Sequence, residues 1–133
     1  IVGGGFGVYH PEITRFALSV PGAPFALLLG RSTAFAMYAE FMKLQFYSWF
    51  DIRIVFSLMQ SFWDSAEAGG WLTLMNRDVQ PGIPPKQVLI QAAYGDGLVT
   101  PLGAEIMARS YNIAAIAPAY EPLWGIPVKY TPV

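Results

Sequence analysis

The sequence predicts an α/β fold built on a parallel sheet, and three observations carry that expectation. Two short apolar runs, Thr14–Val20 and Gln87–Tyr94, read as strands, each stopped by turn-forming residues. The second run is apolar almost throughout, which suits a strand buried on both faces of a parallel sheet. Capped helical segments lie between the two runs and after the second. Strand, crossover helices, strand and helix is the grammar of a parallel α/β architecture.

The elements follow in order. Residues 1–9 are uncharged and hold Gly3, Gly4, Gly5 and Gly7, the pattern of a helix packed so closely on its neighbours that side chains do not fit. Thr14–Val20 is then a strand ended by Pro21-Gly22. Ser32 or Thr33 caps a helix running to about Gln45. Ser48-Trp49-Phe50-Asp51 fits the Ser-x-x-acid capping pattern ahead of a second helix over Ile52–Trp63. These two segments carry Phe35, Tyr38, Phe41, Trp49, Phe50 and Phe56 among other aromatics, apolar nearly all round, so burial on several sides is expected. Asp64–Pro85 is rich in turns, with Gly69-Gly70, Pro81-Gly82 and Pro84-Pro85. Gln87–Tyr94 runs into Gly95-Asp96-Gly97. Thr100 then Pro101 is a cap with a first-turn proline, opening a helix to about Tyr111 that Asn112 terminates. In the proline-rich tail only Ile113–Ile116 reads as a further element.

Composition narrows the function. The chain has 133 residues, 54% hydrophobic and only 13% charged, about half the usual charged share of a soluble domain. Small domains have more surface per volume, so a free-standing one should be more polar than average. This one is less polar. Two strands also do not make a sheet, so further strands are expected from outside residues 1–133. Eight Lys and Arg against nine Asp and Glu give a net charge of -1 with no basic run. That excludes a nucleic-acid footprint and a polybasic membrane patch. Without cysteine there is no disulfide scaffold, thiolate metal site or cysteine nucleophile, and one histidine is too few for a histidine-rich metal site.

Candidate chemistry is sparse. The run Val2-Gly3-Gly4-Gly5-Phe6-Gly7 fails the Gly-x-Gly-x-x-Gly pattern because position 8 is valine, and the Walker pattern lacks its Gly-Lys-Ser/Thr. Ile1-Val2-Gly3-Gly4 looks like the new N-terminus of a chymotrypsin-like protease, but the Gly-Asp-Ser-Gly-Gly segment of that family is missing. His10 reads as a surface-loop histidine. Asp64 and Glu67, three apart, read as a solvated helix terminus. Asp96 stands out: it follows the carboxyl end of a strand, where open parallel sheets place their ligands. A carboxylate there can orient and charge-stabilise a histidine in a Ser-His-acid arrangement.

Those residues carry a family likeness. Lys86–Val99, ending Gly95-Asp96-Gly97-Leu98-Val99, resembles the strand and loop that bear the triad acid in α/β-hydrolases. Ile1–Gly7 is similar to the small-residue helix directly after a Gly-x-Ser-x-Gly nucleophile elbow, and Thr14–Gly22 to the strand that follows. Ala23–Ser32 and Leu58–Asp64 resemble an uncharacterised bacterial group of these enzymes, serine esterase- and lipase-like.

The resemblance implies that residues 1–133 are the central portion of one α/β-hydrolase domain. They would form part of a mostly parallel sheet, with a cap-like helical insertion over about residues 21–71. In the family's chain order of serine, acid and histidine, the elbow is expected ahead of Ile1 and the histidine beyond Val133. Asp96 is then the catalytic acid, with Leu98, Val99 and Phe25 near the substrate. An apolar acyl or aryl ester substrate is implied, with the remaining segments or chains of the same hydrolase as partners. No metal, cofactor or nucleic acid is implied. The alternative is a non-catalytic structural or interaction subunit that retains the fold.

Overall fold

A computed structural model of the chain describes residues 2–130. Helix α1, Val2–Tyr9, is followed by strand β1, Arg15–Ser19. Short helix α2, Phe25–Leu29, precedes a 3₁₀ turn, Thr33–Phe35, that leads into α3, Ala36–Gln45. Helix α4, Trp49–Trp63, and a long 3₁₀ helix, Ala68–Met75, come before strand β2, Gln87–Gln91. Helix α5, Pro101–Ser110, and two minimal strands, β3 (Ala115–Ile116) and β4 (Val128–Lys129), complete the described residues.

The local chemistry explains most boundaries. Ser32 caps the 3₁₀ turn by accepting from the Ala34 amide. Ser48 and Asp51 form a reciprocal capping box that starts α4, satisfying amides that a helix start otherwise leaves bare. Thr100 accepts from the Leu102 amide to start α5, with Pro101 in the first turn. Asn112 ends that helix at φ +55, a left-handed conformation that asparagine tolerates.

Strands β1 and β2 pair in parallel, Arg15 opposite Gln87 and Ser19 opposite Gln91. This register puts Phe16, Leu18, Val88 and Ile90 on one half-buried face and leaves the other face exposed. Burial of β2 on both faces does not occur: Leu89 keeps 49% of its surface open. The reason is simple geometry. Among the described residues β2 has one neighbouring strand, and the core covers one side of the pair. The sheets are two-stranded, β1 with β2 and β3 with β4, both parallel. The chain is therefore mixed α/β with short parallel strands.

The core lies between the inner face of β1–β2, α1, the long 3₁₀ helix and α5. Val8, Ala23, Ala68, Met75, Met107 and Tyr111 are its buried members, with Leu18, Trp71, Val88 and Ile90 packed on them. Close packing of the glycine helix is confirmed at Gly4, where an added methyl would stand 2.5 Å from Cβ of Ala68. Burial of α3 and α4 on several sides is not. Helix α3 buries no residue, and α4 buries only Ile52 and Phe56. Leu44, Phe50, Leu58 and Phe62 are all strongly exposed, Phe62 at 79%. The main neighbours of these helices are α2, the Thr33–Phe35 turn and each other, too little surface to cover two aromatic stripes.

At the amino edge of the sheet, Lys86 is buried. Its Nζ donates to the carbonyls of His10 and Ile13, so it clamps the loop that enters β1. Its amide donates to Asn76 Oδ1 at 2.7 Å, and Asn76 Nδ2 reaches the Tyr111 carbonyl at 3.2 Å.

Candidate functional site

The carboxyl ends of β1 and β2 open onto one edge of the molecule because the strands are parallel. After β1, Val20 turns at φ +48 and hands the chain to the buried residues Pro21, Gly22 and Ala23. After β2, Gly95 takes φ +75, a conformation that glycine adopts without steric cost, and the chain swings into the Asp96 loop.

Asp96 organises that loop with one oxygen. Its Oδ1 accepts from the Leu98 amide at 2.6 Å and the Val99 amide at 3.1 Å. Both bonds stabilise the carboxylate form, the Leu98 bond more, so the carboxyl is held below the usual carboxylate range despite a slight opposing effect of burial. Both bonds fall on Oδ1, which leaves Oδ2 for a further donor. Asp96 is therefore ionised at neutral pH and oriented by its own loop.

The helical segment between the strands is tied to this loop. The Thr33 amide donates to the Gly97 carbonyl at 2.8 Å, and Thr33 Oγ1 donates to the same oxygen at 3.2 Å. Val99 packs over the Gly22 α-carbon, where an added methyl would meet Val99 Cγ1 at 2.8 Å. The exits of both strands are thus in contact through Val99. Leu98 projects into solvent.

Phe25 lies one layer away. Its ring meets Phe35 and Trp63 edge-on, with centroids 5.8 and 5.0 Å apart. Because Phe35 ends the turn that Thr33 begins, the aromatic cluster and the Asp96 loop share a support. Asp96, Leu98 and Val99 are brought together, and Phe25 is joined to them through residues 33–35 rather than directly.

Beneath Phe25 is a polar network that the sequence reading assigned to solvent. Glu67 is 2% exposed, not part of a solvated helix terminus. Its Oε1 accepts from the Phe25 amide at 3.3 Å and Gln60 Nε2 at 2.6 Å, and its Oε2 accepts from the Gly69 amide at 2.8 Å. Gln60 Oε1 accepts from the Ala26 amide at 2.8 Å, and Gln60 Nε2 also donates to Asp64 Oδ1 at 2.6 Å. The network caps α2, whose preceding residue Pro24 has no capping side chain. Full hydrogen bonding is what makes a buried carboxylate tolerable here. The i, i+4, i+7 spacing of Gln60, Asp64 and Glu67 was the available signal, although α4 ends at Trp63 and Glu67 lies beyond it in extended backbone. Burial, and secondarily the Glu67 charge, push the Tyr111 hydroxyl well above its ordinary pKa.

His10 stands at the opposite, amino edge of the sheet. Its Nδ1 accepts from the Glu12 and Ile13 amides at 3.3 and 3.1 Å, and its ring lies 5.2 Å from that of Phe6. It does not join Asp96. Among the described residues no group of three potential ligands could hold a metal ion. Among the described residues no helix is long and apolar enough to cross a membrane.

Comparison of the chain with protein-family models, with curated proteins and with solved structures finds no match.

Proposed function

We propose that this chain is the acid-bearing central part of a serine hydrolase of the α/β-hydrolase type, cleaving an ester or related acyl bond. One observation carries the reading: an ionised Asp96, just past a parallel strand, with Oδ1 fixed by its own loop amides and Oδ2 left to accept. In such a site Asp96 Oδ2 accepts from a histidine Nδ1–H, holds the imidazole in the tautomer that can take a serine proton, and stabilises the imidazolium that forms. The serine attacks the acyl carbon, and backbone amides stabilise the oxyanion. His10 is at the wrong edge of the sheet, so the histidine comes from outside residues 1–133. The same holds for the serine: among the described residues the non-glycine positions of positive φ are Val20 and Asn112, so none of the seven serines here has the strained backbone of an elbow. Phe25, Leu98 and Val99 offer apolar surface for an acyl or aryl group.

The test is labelling of the full-length protein with an active-site-directed fluorophosphonate. A single labelled serine outside residues 1–133, with loss of aryl-ester turnover, is the expected result. Labelling of Ser19 or Ser32, or turnover that survives full labelling, overturns the reading.

A second reading has its own observation. The stripe Phe50, Ile54, Leu58 and Phe62 on α4 is apolar and open, as are Phe41 and Leu44 on α3. It favours a non-catalytic interaction subunit that retains the fold. Under that reading the full-length protein takes up no fluorophosphonate at any serine.

A further inference from the structure

Residues 95–99 carry the Asp96 carboxylate, and among the described residues each hydrogen bond that ties them to a distant part of the chain comes from Thr33. The others are local: the Asp96 amide donates to the Ala93 carbonyl at 3.4 Å, and Asp96 Oδ1 takes the Leu98 and Val99 amides. Thr33 opens the turn that Ser32 caps, so its direction is set by its own segment. From there its amide, at 2.8 Å, and its Oγ1, at 3.2 Å, both donate to the Gly97 carbonyl.

Which group accepts these bonds matters more than their number. The Gly97 carbonyl and the Leu98 amide belong to one planar peptide unit. Thr33 holds its oxygen, while its N–H makes the shorter of the two bonds to Asp96 Oδ1, 2.6 Å against 3.1 Å. A donor on the carbonyl polarises the peptide, so the N–H on its other side becomes a stronger donor. Two donors on one oxygen also fix the peptide plane, and with it the direction from which Leu98 reaches the carboxylate. That same Leu98 bond is the larger cause of the depressed Asp96 pKa. Thr33 is exposed and its amide bond does not depend on the side chain, so the hydroxyl supplies part of the effect.

We propose that Thr33 is a positioning residue for Asp96, its hydroxyl acting through the Gly97–Leu98 peptide to hold Oδ1 and so keep Oδ2 free for an incoming donor. That this donor is a catalytic histidine rests on the hydrolase reading; the relay through the peptide does not.

The test is a pH titration of the Leu98 amide resonance in the full-length protein, wild type against Thr33→Val, Thr33→Ser and Ser48→Ala. Thr33→Val keeps the amide donor and the branched shape but loses the hydroxyl, so the midpoint should move to higher pH. Thr33→Ser keeps the hydroxyl and should titrate like wild type. Ser48→Ala loosens α4 without touching the relay and should also leave the midpoint in place. If Thr33→Val does not fold, Thr33→Ala takes its place with the same expectation. In aryl-ester hydrolysis Thr33→Val should lower kcat about threefold or more at unchanged KM, and Thr33→Ser should not. A shifted midpoint in a protein without esterase activity supports the relay and counts against the hydrolase reading alone. An unmoved midpoint in Thr33→Val, an equal shift in Thr33→Ser or Ser48→Ala, or a shift that leaves the kcat of an active enzyme unchanged overturns the proposal.

Discussion

Gly4→Ala tests why the first helix is made of glycine. The added methyl would stand 2.5 Å from Ala68 Cβ, 3.0 Å from the Tyr111 hydroxyl and 3.2 Å from Ala68 Cα. Carbon atoms in good contact are about 3.5–4.0 Å apart, so α1 and the 3₁₀ helix would have to separate by about 1 Å. Overpacking of this kind costs about 1–3 kcal/mol. Alanine's better helix propensity returns about 0.8–1.0 kcal/mol. The 2.5 Å approach to a backbone-anchored methyl puts the cost in the upper part of that range, about 2–3 kcal/mol, so a net loss of about 1–2 kcal/mol is expected. Gly3→Ala has the opposite balance. Its nearest neighbour is Leu18 Cδ2 at 3.1 Å, the end of a flexible side chain that can move aside. That variant should be neutral or stabilised by up to about 1 kcal/mol. The assay is the urea-unfolding midpoint of the full-length protein, compared at unchanged slope. Adding Ala68→Gly to Gly4→Ala removes the closest of these contacts and should recover part of the loss. Gly4→Ala as stable as wild type, or no recovery in the double variant, would refute close packing as the reason for the glycines.

Three further expectations concern a buried lysine, a helix cap and the Asp96 loop. Lys86→Met leaves the His10 and Ile13 carbonyls without their buried donor, so a loss of about 2–3 kcal/mol is expected in the same unfolding assay; a change under about 0.5 kcal/mol would remove the clamp from the account. Ser48→Ala breaks the capping box of α4 and should cost about 1 kcal/mol with no change in the slope, whereas no loss would mean that the cap is idle. Asp96 has a depressed pKa in the folded chain, so its bonds to Leu98 and Val99 are at full strength above the unfolded value of about 3.9 and weaken as pH falls through the lower folded value. The Leu98 amide resonance should hold steady from pH 7 to about 4 and shift only below that, and a midpoint near pH 6 would contradict the loop geometry.

The parts that were legible in the sequence are those written in local chemistry. Ser48 with Asp51, Thr100 with Pro101, and Asn112 mark helix ends through hydrogen bonds made within a few residues, and each boundary stands where the reading placed it. The two strands were found, and their parallel pairing follows from the helices between them. What escaped depends on distant partners. Leu89 and the aromatic stripes of α3 and α4 look like core residues by type, yet burial is set by which surfaces arrive to cover them. Glu67 looks like a surface acid, yet Gln60 and the amides of Phe25 and Gly69 bring it inside. Val128–Lys129 lies among prolines and has no strand signal of its own; it is a strand because Ala115–Ile116 is beside it. The Asp96 loop was legible as a turn past a strand. Its support by Thr33 was not, since that bond joins residues 64 apart.

The most direct test of the hydrolase reading is steady-state hydrolysis of a short-chain aryl ester by the full-length protein, wild type against Asp96→Asn. The amide keeps the shape of the carboxylate but can donate a hydrogen bond, which favours the wrong imidazole tautomer. In the well-studied serine triad that change lowers kcat by about 10⁴. A loss of at least about a hundredfold in kcat is expected here, with KM little altered because the group does not bind substrate. His10→Gln, at the other edge of the sheet, should turn over like wild type. Equal turnover by Asp96→Asn and wild type, or a collapse in Asp64→Asn instead, would contradict Asp96 as the acid.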